Sequence, residues 1–209
     1  MAKRNDNSGY LYHWIKAVPF MRNNSLDYST AFEVLINIIR DGAIRAGLTM
    51  EAGGHECICF TESTKYSLRD DTSKYQPFGF EFSKRRVFTA GGRPVIYSPI
   101  AEKQLLDPVI QWRFMPFDLD ARSESSPFGI DFTWEREWRL NEPELSLDEV
   151  SRIFVPNERY RELLIDRTND IVSESISEDT SDYYYGYPHP SVEDYIDSIH
   201  ERIDVLRID

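Results

Sequence analysis

The densest chemistry in this 209-residue chain lies in Phe132-Thr133-Trp134-Glu135-Arg136-Glu137-Trp138-Arg139-Leu140. Read with the strand period of two, one face carries Phe132, Trp134, Arg136, Trp138 and Leu140. The other carries Thr133, Glu135, Glu137 and Arg139. Carboxylates at i and i+2 of a strand lie about 7 Å apart on a rigid element. One such group can hold a sugar hydroxyl while the other stabilises positive charge or takes a proton. The plainer alternative is a solvated charged face whose ion pairs add little stability. Arg136, between two tryptophans, either stacks on indole or is turned away by a bulge.

Three other constellations accompany this one. His13 is embedded in the otherwise apolar Leu11-Tyr12-His13-Trp14, where it is either a hydrogen-bonded core residue or a ligand-holding imidazole. Cys59-Phe60-Thr61-Glu62-Ser63 ends an apolar run in hydroxyls and a carboxylate; Thr61 or Ser63 either presents a polar group at a sheet edge or caps the next turn. Lys84-Arg85-Arg86 is a basic cluster able to receive a diphosphate, or simply a solvated strand end. A metal-dependent nuclease built on Asp131, Glu135 and Glu137 is the weakest reading, because further His or Asp ligands lack any recognisable spacing. No metal site is therefore expected.

The elements that must position these groups follow from periodicity. Strands are expected at Leu11–Ile15, Glu56–Phe60, Pro94–Tyr97, Arg152–Val155 and, most clearly, Asp131–Leu140. Phe78, Phe80 and Phe82 alternate with Glu81 and Ser83, which predicts a half-buried strand. Thr30 and Glu33 have capping-box spacing ahead of the stripe Phe32, Leu35, Ile36, Ile39, with Asp41-Gly42 as the stop. Glu102–Arg113 reads as helical with Pro108 starting, kinking or ending it. Ser146 with Glu149 begins a short turn of helix, and Asn157–Ile165 reads as a helix. One early helix, many strands and few further helices predict an α+β fold with a mixed or antiparallel sheet.

Composition bounds what remains. At 41% hydrophobic and 13% aromatic residues the chain can build a core. No run approaches the roughly 18 apolar residues of a membrane helix, and Met1-Ala2-Lys3-Arg4-Asn5-Asp6 leads into polar residues. Cys57 and Cys59 alternate in an apolar run as reduced thiols. A cytoplasmic protein with no membrane partner is expected. The formal charge of −12 opposes binding to nucleic-acid backbone. That charge is unevenly placed: residues 170–209 hold 11 acids and two arginines, −9, which leaves −3 for residues 1–169. The expected organisation is a single α+β domain over 1–169 followed by an acidic, tyrosine-rich segment over 170–209. Within it Ser173–Asp182 reads as a mobile connection, and Val192, Tyr195, Ile196, Ile199, Ile203 and Leu206 as the stripe of a closing helix from Ser191. That helix either docks on the body or belongs to a detachable partner contact.

The order of these segments resembles the ADP-ribosyltransferase superfamily, including DarT-like enzymes. An opening Leu-Tyr-His strand precedes a helix ending in Ile39-Arg40-Asp41-Gly42-Ala43-Ile44, then a Cys-Phe-Thr-Glu strand end and a late Glu-x-Glu strand. Ile58–Glu62, Gly79–Lys84, Pro94–Tyr97 and Glu135–Arg139 are also similar to AbiGi-type abortive-infection proteins of phage resistance. The resemblance covers roughly residues 11–156 and is one of pattern. It implies an ADP-ribosyltransferase-like fold and NAD as substrate, with His13 on the NAD ribose, Thr61 or Ser63 and less firmly Tyr97 lining the nicotinamide pocket, and Glu137 catalytic. Glu137 would bind the ribose hydroxyl and stabilise the oxocarbenium-like centre, with Glu135 orienting the acceptor. The chain departs from the superfamily in lacking a clean Ser-Thr-Ser motif.

Two functions follow. One is an NAD-consuming effector in phage–bacterium conflict, transferring ADP-ribose to protein, nucleic acid or water. The other is a non-enzymatic, antitoxin-like or inhibitory component that contacts a protein partner through its acidic C-terminal segment. Whether His13 and Glu137 converge in one cleft separates them.

Overall fold

The computed structural model describes residues 8–16, 28–49, 54–63, 75–124 and 127–208. The polar start at Met1–Asp6 lies outside them. In chain order the elements are β1 (Tyr10–Lys16), α1 (Ser29–Asp41), β2 (Ala43–Arg45), β3 (Gly47–Thr49), β4 (His55–Thr61), β5 (Tyr75–Ser83) and α2 (Lys84–Thr89). They continue with β6 (Arg93–Pro94), β7 (Ile96–Ser98), β8 (Phe114–Pro116), β9 (Glu137–Leu140), β10 (Glu144–Ser146) and β11 (Arg152–Val155). The chain closes with α3 (Glu158–Glu174), α4 (Pro190–His200) and β12 (Ile203–Val205). The fold is α+β with mostly antiparallel pairing, as the element pattern predicts. No described helix is long and apolar enough to cross a membrane.

Two compact units share these elements. The first takes residues up to His13, Ala43–Ser67 and Phe82–Glu149. In it β4 pairs antiparallel with β9, β9 with β6, β3 with β4, and Tyr12 of β1 stands opposite Thr61. An antiparallel β2–β10 pair and a parallel β7–β8 pair complete it. The expected Pro94–Tyr97 strand is split at Val95. Gly91, at φ 103°, and Gly92, where a Cβ would stand 2.8 Å from the Val87 carbonyl oxygen, make the tight turn that precedes it. The expected helix over Glu102–Arg113 is instead two 3₁₀ segments, Ile100–Leu105 and Pro108–Arg113. Pro108 cannot continue a helix, and Asp107 starts the second segment by accepting from Val109 N–H.

The second unit takes Trp14–Gly42, Leu68–Glu81 and Val150–Asp209. Here β11 lies between β5, antiparallel, and β12, parallel. Helix α1 buries the expected stripe Phe32, Leu35, Ile36 and Ile39 and stops at Gly42 in the left-handed conformation. Its capping box does not form: Glu33 pairs instead with Arg167 on α3. Edge-on aromatic contacts knit the interior, with Phe78 and Tyr160 at 5.2 Å and Phe32 and Tyr160 at 5.4 Å. Strand β5, expected to be half-buried, is buried on both sides, Glu81 included, with Arg152 Nε 3.6 Å from that carboxylate. A charge can sit there because a partner is at hand.

The closing segment is core. Ile196, Ile199 and Leu206 are fully enclosed, β12 extends the β11 edge, and Tyr195 donates to the Ile39 carbonyl at 2.7 Å. The helix α3 runs to Glu174, past the expected connection at Ser173. The Thr168 hydroxyl on α3 lies 2.7 Å from the Leu164 carbonyl and 2.7 Å from His200 Nε2 on α4, so it links the two helices.

Two outcomes follow. Ile199→Ala should lower unfolding free energy by about 2–5 kcal/mol in denaturant titration, and a chain ending before Pro190 should lose cooperative melting. Burial holds the His200 imidazole below its ordinary value of 6.5, with Arg161 adding to this and Asp197 opposing it. The folded chain thus binds that proton less readily than the unfolded one. Stability present above about pH 6.5 should fall with decreasing pH, and His200→Gln should flatten this slope in thermal melts.

Candidate functional site

The strand expected over Asp131–Leu140 forms only from Glu137 onward. Upstream, Asp131 accepts from both the backbone and the hydroxyl of Thr133, at 2.9 and 2.6 Å, and a 3₁₀ turn spans Thr133–Glu135. Those two bonds hold the exposed Asp131 carboxyl below its ordinary pKa. Arg136 then takes a left-handed conformation at φ 47°, so strand alternation does not carry across it. Trp134, assigned to the apolar face by alternation, is instead 55% exposed. Glu135 is buried at the turn and not on a strand beside Glu137.

The end of β4 receives this turn. Thr61 donates to the Glu135 carbonyl at 2.6 Å, and Ser63 donates to the Trp134 carbonyl at 2.6 Å. Tyr97 accepts from Glu137 N–H at 3.0 Å and donates to the Phe132 carbonyl at 3.1 Å; burial pushes its phenol up. Thr61, Ser63, Tyr97, Glu135 and Glu137 are therefore brought together. These bonds run to backbone, so the hydroxyls act here as clasps on the turn.

His13 is set apart from Glu137. The register places Tyr12 opposite Thr61 and Thr61 opposite Glu137, so these three project to one face. Cys59 and Arg139, themselves opposite one another, lie on that face too. His13 belongs to the other face, with Phe60 and Trp138, and its ring meets Phe60 at 5.9 Å. Its Nδ1 lies 2.8 Å from the Cys59 carbonyl, which can only accept. The proton is therefore on Nδ1, and in the neutral ring Nε2 carries the lone pair.

On the first face the Glu137 carboxylate is bound to Arg139. Arg139 Nε donates to Glu137 Oε1 at 2.7 Å, and the two side chains expose only 9% and 1% of their surface. Arg139 Nη1 also donates to the carbonyls of Trp112 and Phe114, at 3.0 and 2.7 Å, and Nη2 approaches Met115 Sδ at 3.4 Å. Burial alone would depress the guanidinium pKa, but Glu137 beside it more than offsets this and raises it. A carboxylate whose charge is matched in this way has little left for a developing cation.

The second face carries Glu62, from the polar cluster at the end of β4. Glu62 accepts from Lys84 Nζ at 2.7 Å through one oxygen and from the Trp138 indole N–H at 3.3 Å through the other. Lys84 opens α2, whose first turn Ser83 caps, and its ammonium sits 5.9 Å from the Trp138 ring. Sequence alone marks both the Thr61-Glu62-Ser63 cluster and the Lys84-Arg85-Arg86 cluster; their meeting is a tertiary fact. Lys84 is spent on Glu62 and Arg86 on Glu149, so two of the three basic residues are already paired. Among the described residues no group of three or more His, Cys, Asp or Glu side chains could hold a metal.

Removing one partner of a buried pair leaves the other charge uncompensated, at a cost of about 3–5 kcal/mol. Glu137→Gln should therefore melt well below the parent protein, while Glu142→Gln, on an exposed residue, should not. A Glu137→Gln protein as stable as the parent would show that the pair is not structural. These roles rest on geometry alone: no protein-family model, no curated protein and no solved structure matches this chain.

Proposed function

We propose that this protein acts by binding, as a non-enzymatic, antitoxin-like or inhibitory component in phage–bacterium conflict. One observation carries the reading: the Glu137 carboxylate is committed to Arg139 on the face turned away from His13. A transferase of the kind the sequence resembles needs the imidazole on the NAD ribose and the carboxylate at the reacting carbon together. Electrostatic stabilisation of that cation requires a group aimed at it with its charge uncompensated. The setting in phage defence comes from the resemblance to abortive-infection proteins, and a binding role needs no catalytic convergence.

The NAD-consuming reading keeps one observation in its favour. Thr61, Ser63, Tyr97, Glu135 and Glu137 do gather around one turn. In that reading NAD is the substrate and Glu137 the catalytic carboxylate.

Purified full-length protein incubated with NAD, with and without protein or nucleic-acid acceptors, separates the two. The binding role expects nicotinamide to accumulate no faster than in buffer. Sustained release by the parent protein overturns it in favour of the enzyme. Should release occur, a loss of about a hundred- to thousand-fold in Glu137→Gln, measured at a temperature where that variant is folded, would assign the carboxylate.

A further inference from the structure

From Thr168 to Glu201 the chain carries no lysine or arginine, and the stretch between α3 and α4 contains Tyr183, Tyr184, Tyr185 and Tyr187. Three of them stand in water: Tyr183, Tyr185 and Tyr187 are 92%, 52% and 72% exposed. Aromatic rings of this size normally contribute their area to a core or an interface. The segment is nevertheless ordered by its own bonds. Gly186 N–H donates to the Ser177 carbonyl at 2.8 Å and Tyr187 N–H to that of Tyr184 at 2.8 Å. Tyr184 packs edge-on against Tyr183 at 5.2 Å and against His189 at 4.8 Å. The exposed rings are thus displayed on a fixed backbone, which lowers the entropy lost when something covers them.

The charge around them is of one sign. Glu178, Asp179 and Asp182 are all exposed. The Asp179 carboxyl, accepting from Ser181 N–H and Oγ–H, is held below its ordinary pKa and stays ionised. A nucleic-acid backbone is repelled by this surface, and a second copy would set like charge against like. A guanidinium suits both features, because it stacks flat on an aromatic face and forks onto a carboxylate, whereas an ammonium does only the second well.

We propose that the segment 176–189 is a docking surface for an arginine-rich stretch of a partner protein, with Tyr183, Tyr185 and Tyr187 stacking on guanidinium groups and Asp179 and Asp182 pairing with them. It rests on the binding role and gives that role its partner chemistry.

The test is calorimetric titration of the full chain with a nine-arginine and a nine-lysine peptide at about 150 mM salt, where long-range attraction is screened. The arginine peptide should bind several-fold more tightly. Replacing Tyr183, Tyr185 and Tyr187 by Ser leaves the charge unaltered, yet should erase this preference and weaken arginine binding by about tenfold. Asp179→Asn with Asp182→Asn should also weaken it, while Glu142→Gln with Glu144→Gln, which removes the same charge elsewhere, should not. Equal affinity of the parent protein for the two peptides overturns the proposal, as does an equal loss in the Glu142/Glu144 variant. Nicotinamide release would count against the binding role and leave the peptide result standing. Absence of both release and arginine preference overturns the docking surface alone.

Discussion

The first unit is organised around one buried cation. Arg139 brings a guanidinium into an interior where an unpaired charge would cost several kcal/mol. It is accommodated because Glu137 neutralises it and the carbonyls of Trp112 and Phe114 accept both protons of its Nη1. That requirement pins the 3₁₀ segment Pro108–Arg113 and the start of β8 against β9. It also decides what Glu137 is: a counterion first, whatever else the residue type could do.

A second constraint lies immediately upstream. Asp131 closes a turn on Thr133, Arg136 flips into the left-handed region, and the chain enters β9 with its alternation reset. The hydroxyls of Thr61 and Ser63 hold that turn by its carbonyls. Backbone carbonyls enclosed at such a place must be satisfied, so the polar cluster at the end of β4 has a structural duty. The opposite face shows the same economy, with Glu62 shared between Lys84 and the Trp138 indole.

In the second unit the closing segment is fixed by burial, with Asp204 of β12 also paired to Arg152. Its acids make it look separable, yet Ile196, Ile199 and Leu206 on its other side are enclosed, and β12 completes hydrogen bonding along β11. Acids face out and aliphatics face in, as an amphipathic helix requires. The tyrosine-bearing stretch ahead of α4, by contrast, keeps large aromatic surface in water.

Local pattern by itself determined the α+β class, the stripe and glycine stop of α1, the strand at Glu56–Phe60 and the amphipathic helix near the C-terminus. These depend on residue periodicity and on conformations available to glycine, which are properties of neighbours in sequence. Tertiary structure alone decided which faces the chemistry occupies. Whether His13 shares a side with Glu137 turns on the pairing of Tyr12 with Thr61, and a one-residue change of register would reverse it. Whether Glu137 is a free carboxylate or the counterion of Arg139 depends on what covers that face, here carbonyls some 25 residues earlier in the chain. The sequence named Glu137 and His13; long-range pairing, which no local period encodes, assigned these two to opposite sides.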